Sequence, residues 1–208
     1  MPSETTGHML GAMNSIRLDK RDLILSKGSA VMTRRGYHGT GVLEIVQAAG
    51  IPKGSFYHYF ASKEDFALQA LAFIYRPRLE RYAQALSNGA LSPRARILAY
   101  YRDLLAHFAR QDTPQYHCFI GSLSFEMSEM LPAIGAEVEA IQQASVDILR
   151  DCLEQAQAAG ELPATEDCGN LATFISDAWQ GVLARLKVGR NLQPLEAFIN
   201  RLERLLQA

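Results

Sequence analysis

Apolar residues recur at helical spacing along almost the whole chain, and no segment shows the apolar–polar alternation of a half-buried strand, so the sequence encodes an assembly of helices. Ile24, Gly28, Val31 and Met32 fall at relative positions 0, 4, 7 and 8, and the stripe runs into Arg34-Arg35-Gly36, with basic residues in a last turn and glycine beyond. This predicts a first helix over about residues 18–35. Val42, Ile45, Val46 and Ala49 repeat at 0, 3, 4 and 7 behind Thr40, which has N-cap chemistry, and Gly50 ends that segment. Ile51-Pro52 opens a third helix, with proline near N1, where its missing N–H is not needed. Ser62, three residues before Asp65, caps a fourth that runs to about Asn88-Gly89.

The remainder reads the same way. Ser92-Pro93 starts a helix lasting to about Arg110; Asp112-Thr113-Pro114 breaks it; a helix follows over about 116–130; Leu131-Pro132 punctuates again; and a long helix ends at Gly160. Leu171, Phe174, Ile175, Ala178, Trp179, Val182 and Leu186 then fall at 0, 3, 4, 7, 8, 11 and 15. After Pro194, Leu195, Phe198, Ile199, Leu202, Leu205 and Leu206 fall at 0, 3, 4, 7, 10 and 11. The expected fold class is all-α: a disordered tail over 1–14, a three-helix domain over 15–62 and a larger helical domain over 63–208.

Composition limits the function classes. With 48% hydrophobic and 21% charged residues, the 208-residue chain is globular, not disordered. No apolar run approaches the roughly 18 residues a bilayer span requires, and the N-terminus lacks the basic and apolar regions of a signal peptide, so a cytoplasmic location is expected and no membrane partner. Cys118, Cys152 and Cys168 are too few for a disulfide framework, and no CxxC or His-x-x-x-His pattern calls for a metal. No nucleophile elbow or phosphate-cradling glycine loop calls for catalysis or a cofactor. The net charge of -1 hides an asymmetry, because residues 1–66 hold eight Lys/Arg against six acids. So small an excess cannot by itself indicate a nucleic-acid partner, and such a reading has to rest on a local motif.

Residues 40–60 supply that motif. Two helices joined by a glycine-containing turn can place the second in a DNA major groove while the first braces it. The second offers Lys53 as a phosphate cation, Gly54 for close backbone approach, Ser55 as a short hydrogen-bonding group, and Tyr57, His58 and Tyr59 as aromatic donors. The alternative is that Tyr57, Tyr59 and Phe60 are half-buried staples between helices and Lys53 is merely solvated. The run from Gly36-Tyr37-His38-Gly39-Thr40-Gly41-Val42 through Ala48-Ala49-Gly50-Ile51-Pro52-Lys53-Gly54-Ser55-Phe56-Tyr57-His58-Tyr59-Phe60 to Ser62-Lys63-Glu64 closely resembles the N-terminal DNA-binding domain of TetR-family transcriptional regulators. The resemblance implies a helix-turn-helix DNA-binding domain, a palindromic double-stranded operator, a homodimer that usually represses, and a variable C-terminal ligand-sensing domain. It also implies that Thr40, Lys53, Tyr57 and His58 contact phosphates, with Lys63 beside them, while Gly54 and Ser55 sit where base edges are read. Ser55 replaces the family's commoner threonine, and Gly41 takes a place often held by serine.

Two recognition helices must be held about one duplex turn apart, or a multiple of it, and the last two helices are the candidate clamp. Leu171, Phe174, Trp179, Val182, Leu195, Phe198, Leu202 and Leu205 are the expected dimer-interface residues; the alternative is that both stripes face the chain's own core. In the middle section Cys118, flanked by His117 and Phe119 near a helix start, is a candidate thiolate sensor or an inert small hydrophobe. The Cys118-Phe119-Ile120-Gly121-Ser122-Leu123-Ser124 segment and the stretch from Gly181 through Lys187-Val188-Gly189-Arg190 to Pro194-Leu195 resemble the TetR subgroup that includes the N-ethylmaleimide reductase and acrylate-utilisation repressors. That implies an electrophilic, oxidising or small unsaturated acid inducer, with Cys118 as sensing thiol and Lys187 as its partner. For a non-covalent ligand, Tyr100, Tyr101, Phe108, Phe119, Phe174 and Trp179 are candidate pocket walls, with Arg102 or His107 meeting a carboxylate; plain core is the alternative. A Cys118–His117 thiol enzyme and a His107–His117–Cys118 metal sensor are weaker readings, because adjacent helical residues do not face each other and the ligand spacing is irregular.

Overall fold

The computed structural model describes residues 19–110, 119–121 and 131–207, and every regular element among them is helical. The expected tail over 1–14 and most of the helix expected over 116–130 lie outside these residues. The helices are α1 (Lys20–Arg35), α2 (Val42–Ala49), α3 (Lys53–Phe56), α4 (Lys63–Leu86), α5 (Pro93–Ala109), α6 (Pro132–Ala158), α7 (Cys168–Gly189) and α8 (Gln193–Leu205). Residues 119–121 carry helical backbone between α5 and α6. The punctuation read from the sequence holds at most ends. Gly50 takes a left-handed φ of 67°, and the Ile51 amide reaches back to the Val46 carbonyl at 3.0 Å, closing α2 in a Schellman turn. The Asp65 amide donates to Ser62 Oγ at 3.0 Å, and the Asp65 carboxylate accepts from the Ala61 amide at 2.8 Å.

Thr40 departs from expectation. The N-cap of α2 is Gly41, whose amide donates to Glu44 Oε2 at 3.0 Å. Thr40 is fully buried and donates its hydroxyl to the Gly36 carbonyl at 2.7 Å, tying the end of α1 to the start of α2. A threonine hydroxyl can cap the next helix or close the preceding turn, and here the glutamate leaves it free to do the second.

The N-terminal core is built around three rings. Phe56, Phe60 and Phe66 are essentially inaccessible, with centroids 5.1, 5.9 and 5.2 Å apart for the 56–60, 56–66 and 60–66 pairs. Ile24, Ile45 and Val46 pack around them. The close approach of α1 depends on Gly28, because a Cβ there would lie 2.6 Å from Ile45 Cγ2 and 2.8 Å from Phe66 Cζ. Arg21 adds a polar tie, donating through Nη2 to Gln69 Oε1 at 2.6 Å.

Two long helices carry this core into the second one. The N-terminal half of α4 (Phe66, Ala67, Ala70, Leu71) and the start of α6 (Ile134, Val138, Ile141) belong to the first core together with Phe119 and Ile120. The far ends of α4 (Tyr82, Leu86) and α6 (Leu149, Cys152, Leu153) belong to the second, with α5, α7 and α8. At about 1.5 Å per residue, the 24-residue α4 spans roughly 36 Å. Pro77 lies inside α4 and leaves the Phe73 carbonyl without its helical partner, so the hydrogen-bond ladder is weakest between the two cores.

Gly28→Ala tests the packing of α1. Helix propensity favours alanine by up to about 1 kcal/mol, but the two sub-3 Å contacts demand displacement of Ile45 and Phe66, and overpacking of this kind costs about 1–3 kcal/mol. Thermal denaturation is expected to give a net loss of stability.

Candidate nucleic-acid interface and effector cavity

The spacing of phenylalanines fixes which side of α3 faces out. Phe56 and Phe60 are one helical turn apart and both point into the ring cluster, so Tyr57 and His58 between them face solvent. Lys53, Gly54 and His58 are exposed, Tyr57 is 58% exposed, and Ser55 and Tyr59 are half-buried. No side chain crowds Gly54, where a Cβ would meet nothing within 4 Å. The outward face thus offers a cation, two aromatic donors and an open backbone on one short helix and the turn that follows it. Phe60 proves to be a fully buried staple and Tyr59 packs against the core, whereas Tyr57 stands clear.

Two residues expected on this face do other work. Thr40 is buried with its hydroxyl committed, as above. Lys63 is half-buried, its Nζ donating to the Tyr37 carbonyl at 3.0 Å and the Thr40 carbonyl at 3.1 Å and sitting 4.1 Å from the Tyr37 ring centroid. Burial pulls the Lys63 ammonium below its usual range, with Glu44 opposing the shift. Lys63 is a clamp from α4 onto the α1–α2 loop, adding a charged donor to the Thr40 carbonyl and to the Tyr37 carbonyl, which also accepts from the Thr40 amide at 3.3 Å.

Of the expected dimer residues, Leu171, Val182, Leu195 and Leu202 lie in the protomer's own second core. Trp179 and Phe198 stack with Tyr101 at 5.3 and 4.9 Å, and Leu205 is half-buried against the same cluster. Leu171, Val182, Leu195 and Leu202 are corrected from interface to interior, whereas the half-buried Trp179, Phe198 and Leu205 keep part of their surface open: a stripe shows that a helix face is buried, not what buries it, and α5 and α6 cover this one. Phe174 alone remains strongly exposed, at 57%, on a face of α7 that continues through exposed Gly181 to Val188, 86% exposed. Their spacing of seven is that of a helix–helix seam, with a glycine at its centre.

A cavity of about 750 Å³ opens between α4, α5, α6 and α7. Tyr100, Tyr101, Phe108, Trp179 and His107 line it as expected. Phe119 does not; it is buried in the first core beside Ile120, which does line the cavity. Phe174 and Arg102 also lie outside it, Phe174 pointing to solvent and Arg102 forming an ion pair with Glu203. Tyr75, Arg78, Leu79, Arg81 and Tyr82 form the α4 wall that the sequence reading missed. The signal was present, since Tyr75, Arg78, Leu79 and Tyr82 share one helical face. Tyr82 donates its hydroxyl to Tyr101, and burial pushes both phenols above the usual tyrosine range. The Tyr75 hydroxyl accepts from the Ile120 amide at 3.0 Å, so one cavity-wall side chain holds a segment of the first core.

Cys118 and His117 lie outside the described residues, so the expected thiol, its imidazole neighbour and any contact with Lys187, exposed in the last turn of α7, do too. The two described cysteines are unsuited to nucleophilic chemistry. Cys152 is buried, donates to the Pro93 carbonyl at 3.4 Å and has its thiol pushed up to about 11 chiefly by burial. Cys168 is raised by burial and then by Glu154, Glu166 and Asp167.

A helix-turn-helix head on a larger helical domain with its own cavity defines an effector-responsive class of DNA-binding regulator. Residues 24–70 match the model of bacterial regulatory proteins of the tetR family, and residues 93–202 match the tetracyclin repressor-like C-terminal domain. The chain belongs to the TetR family of DNA-binding transcriptional regulators, whose members act as dimers. It is 31% identical over 183 residues to the repressor DhaR of Mycobacterium sp. (strain GP1), covering 88% of this chain and 90% of that one. It is 35% identical to the regulator AcuR of Cereibacter sphaeroides, covering 84% and 80%. The repressor NemR of Escherichia coli is 30% identical in sequence, covering 86% and 89%. Its reduced-form crystal structure superposes with a TM-score of 0.82 over 89% of this chain and 96% of that one, at 30% identity. These likenesses fit the subgroup read from the sequence. A cysteine mutant of the TetR-family regulator CifR, solved with 26-base-pair operator DNA, is 27% identical with a TM-score of 0.76, covering 92% and 98%. Among the described residues no helix is long and apolar enough to cross a membrane.

Lys53 and Lys63 are separable by salt. Each phosphate neutralised contributes about 0.9 to the log–log slope of DNA affinity against salt, so Lys53→Ala in a dimer is expected to flatten that slope by about 1.8. Lys63→Ala is expected to leave the slope unchanged and to cost about 2 kcal/mol of stability in thermal or urea denaturation, since two loop carbonyls lose a charged donor.

Proposed function

We propose that this protein is a cytoplasmic homodimeric repressor that binds palindromic operator DNA through Lys53, Gly54, Ser55, Tyr57, His58 and Tyr59 and leaves it when the C-terminal domain captures a small-molecule inducer. The observation that carries the reading is the continuity of α4, which is packed in the helix-turn-helix core at Phe66 and lines the cavity from Tyr75 to Tyr82. A ligand entering the cavity meets Tyr75, whose hydroxyl holds the Ile120 amide, and Phe119 and Ile120 share a core with Phe56 and Phe66. Inducer and operator therefore compete through one set of packed side chains. Coupling of about 1–3 kcal/mol changes occupancy some five- to 150-fold without unfolding. Phe174, Gly181 and Val188 are the seam on which α7 would meet its symmetry mate, an isologous contact that sets the spacing of the two α3 helices.

A second reading makes induction covalent, at Cys118 with Lys187 as its partner. It is favoured by the similarity to NemR, crystallised in a reduced form, and by the position of Cys118 directly before two residues of the first core. Because Cys152 and Cys168 are buried with raised thiols, a stoichiometric thiol reagent is expected to modify Cys118 alone.

Fluorescence anisotropy with DNA from upstream of the protein's own gene tests both readings. Wild-type protein and Cys118→Ser are expected to bind this DNA well above random DNA. Equal affinity for the two DNAs would overturn the operator-binding reading. One equivalent of N-ethylmaleimide that releases the wild type but not Cys118→Ser assigns the covalent route; binding that survives in both leaves induction to the cavity.

A further inference from the structure

The cavity walls are chemically unequal. Tyr75, Tyr100, Leu104, Phe108, Val146, Trp179 and Leu183 are all half-buried and converge on the same space, an accumulation of part-exposed apolar surface that the described residues do not cover. Ring contacts run continuously from Tyr82 to Tyr100 at 4.5 Å, to Tyr101 at 5.2 Å and to Trp179 at 5.3 Å. This wall offers flat, polarisable area to a planar ligand.

Charge is distributed along it in a definite way. Arg78 and Arg81, one helical turn apart on α4, both line the cavity, and neither has a carboxylate within 4.0 Å among the described residues. The Arg78 guanidinium lies 5.1 Å from the Tyr75 ring centroid, which orients it at the aromatic wall. Both arginines act on the Tyr100 phenol, opposing the upward shift that its burial causes. Among the described residues three acids also line the cavity, Asp103, Glu139 and Asp177, exposed as both arginines are. Asp103 stands one helical turn from Tyr100 on α5, Glu139 lies on α6 and Asp177 on α7, and none of the three pairs with either arginine. Beside Tyr100 the two guanidinium groups thus have no carboxylate partner among the described residues, and hydroxyls that stay protonated at neutral pH stand next to them.

We infer that the cavity takes an aromatic carboxylate, its ring on the Tyr100–Tyr101–Trp179 wall and its anionic head between Arg78, Arg81 and the Tyr100 hydroxyl. The inference deepens the proposed function, since it names the class of molecule for the site assumed there to receive the inducer. Arginine suits this role because its fork presents paired N–H donors to a carboxylate. A neutral ligand of the same shape forfeits that contact, and a cationic one is repelled.

The chain's single tryptophan, Trp179, lies in the cavity wall and reports occupancy by its own fluorescence. Full-length protein is titrated with three probes of matched shape: naphthoate, naphthamide and naphthylmethylammonium. Naphthoate is expected to bind at least about tenfold more tightly than the amide, with the cation weakest, a difference that corresponds to about 1.4 kcal/mol. The double variant Arg78→Gln/Arg81→Gln is expected to abolish the preference for naphthoate while still binding naphthamide, which also shows that its cavity is intact. Equal binding of the three probes, preference for the cation, no binding of naphthoate, or a preference that survives the double substitution would each overturn the inference. Operator release is followed in parallel by anisotropy. Naphthoate that quenches Trp179 with charge selectivity but leaves DNA bound upholds the ligand class and counts against the cavity as the site of induction.

Discussion

The structure depends on the burial of α4 in two cores at once. Phe66 and Leu71 are fully inaccessible among the helix-turn-helix residues, and Tyr82 and Leu86 are buried among α5, α6 and α7. A helix transmits displacement along its axis because each hydrogen-bonded turn constrains the next, so the two ends of α4 cannot be repacked independently. Protein interiors tolerate few intermediate arrangements. A disturbance at the cavity end that is not absorbed by bending at Pro77, where a rung is missing, is therefore met by a matched shift of Phe66 against the Phe56–Phe60 pair. That shift moves α3, which has only four residues of its own and takes its orientation from those rings.

The reading head is thus held from behind. Its outward residues make almost no contacts that fix them; the position of Lys53, Tyr57 and His58 follows from Phe56 and Phe60 beneath them and from the Gly50 turn before them. Lys63, Thr40 and Glu44 lock the loop on the other side, through two carbonyls, one carbonyl and one amide respectively. These polar contacts are local and satisfy backbone groups that a short loop between two helices would leave unpaired. They make the α1–α2 loop part of the rigid body that α4 carries.

Much of this was legible in the sequence, and what was not has identifiable causes. Helix positions followed from apolar period and from Gly, Pro and Ser punctuation, because those signals are local. Phe56 and Phe60 four residues apart already implied that Tyr57 and His58 face outward. The role of Thr40 was misread because its hydroxyl chemistry is the same for a cap and for a turn closure, and only Glu44 reaching Gly41 decides between them. The clamp made by Lys63 was not legible, because a lysine beside a DNA-binding motif carries no mark of the carbonyls that engage it. The stripes on α7 and α8 were correct as buried faces, but periodicity cannot name the covering element, and the exposed Phe174–Gly181–Val188 line has too few apolar residues to register as a stripe. The α4 wall of the cavity is not legible from its shared tyrosine face alone, because a cavity is defined by four helices meeting and a helical face carries no mark of which other helices it meets.

The central claim is that two copies of one reading head, held at a fixed separation, recognise operator DNA. In vitro selection of binding sites from random double-stranded DNA tests it most directly, because it presupposes neither the operator nor the inducer. The account predicts enrichment of an inverted repeat whose half-site centres lie about one helical turn of duplex apart, roughly 34–36 Å, or a multiple of that distance. Enrichment of a single unrepeated motif, or none at all from protein that is folded and salt-sensitive in its DNA binding, would contradict it.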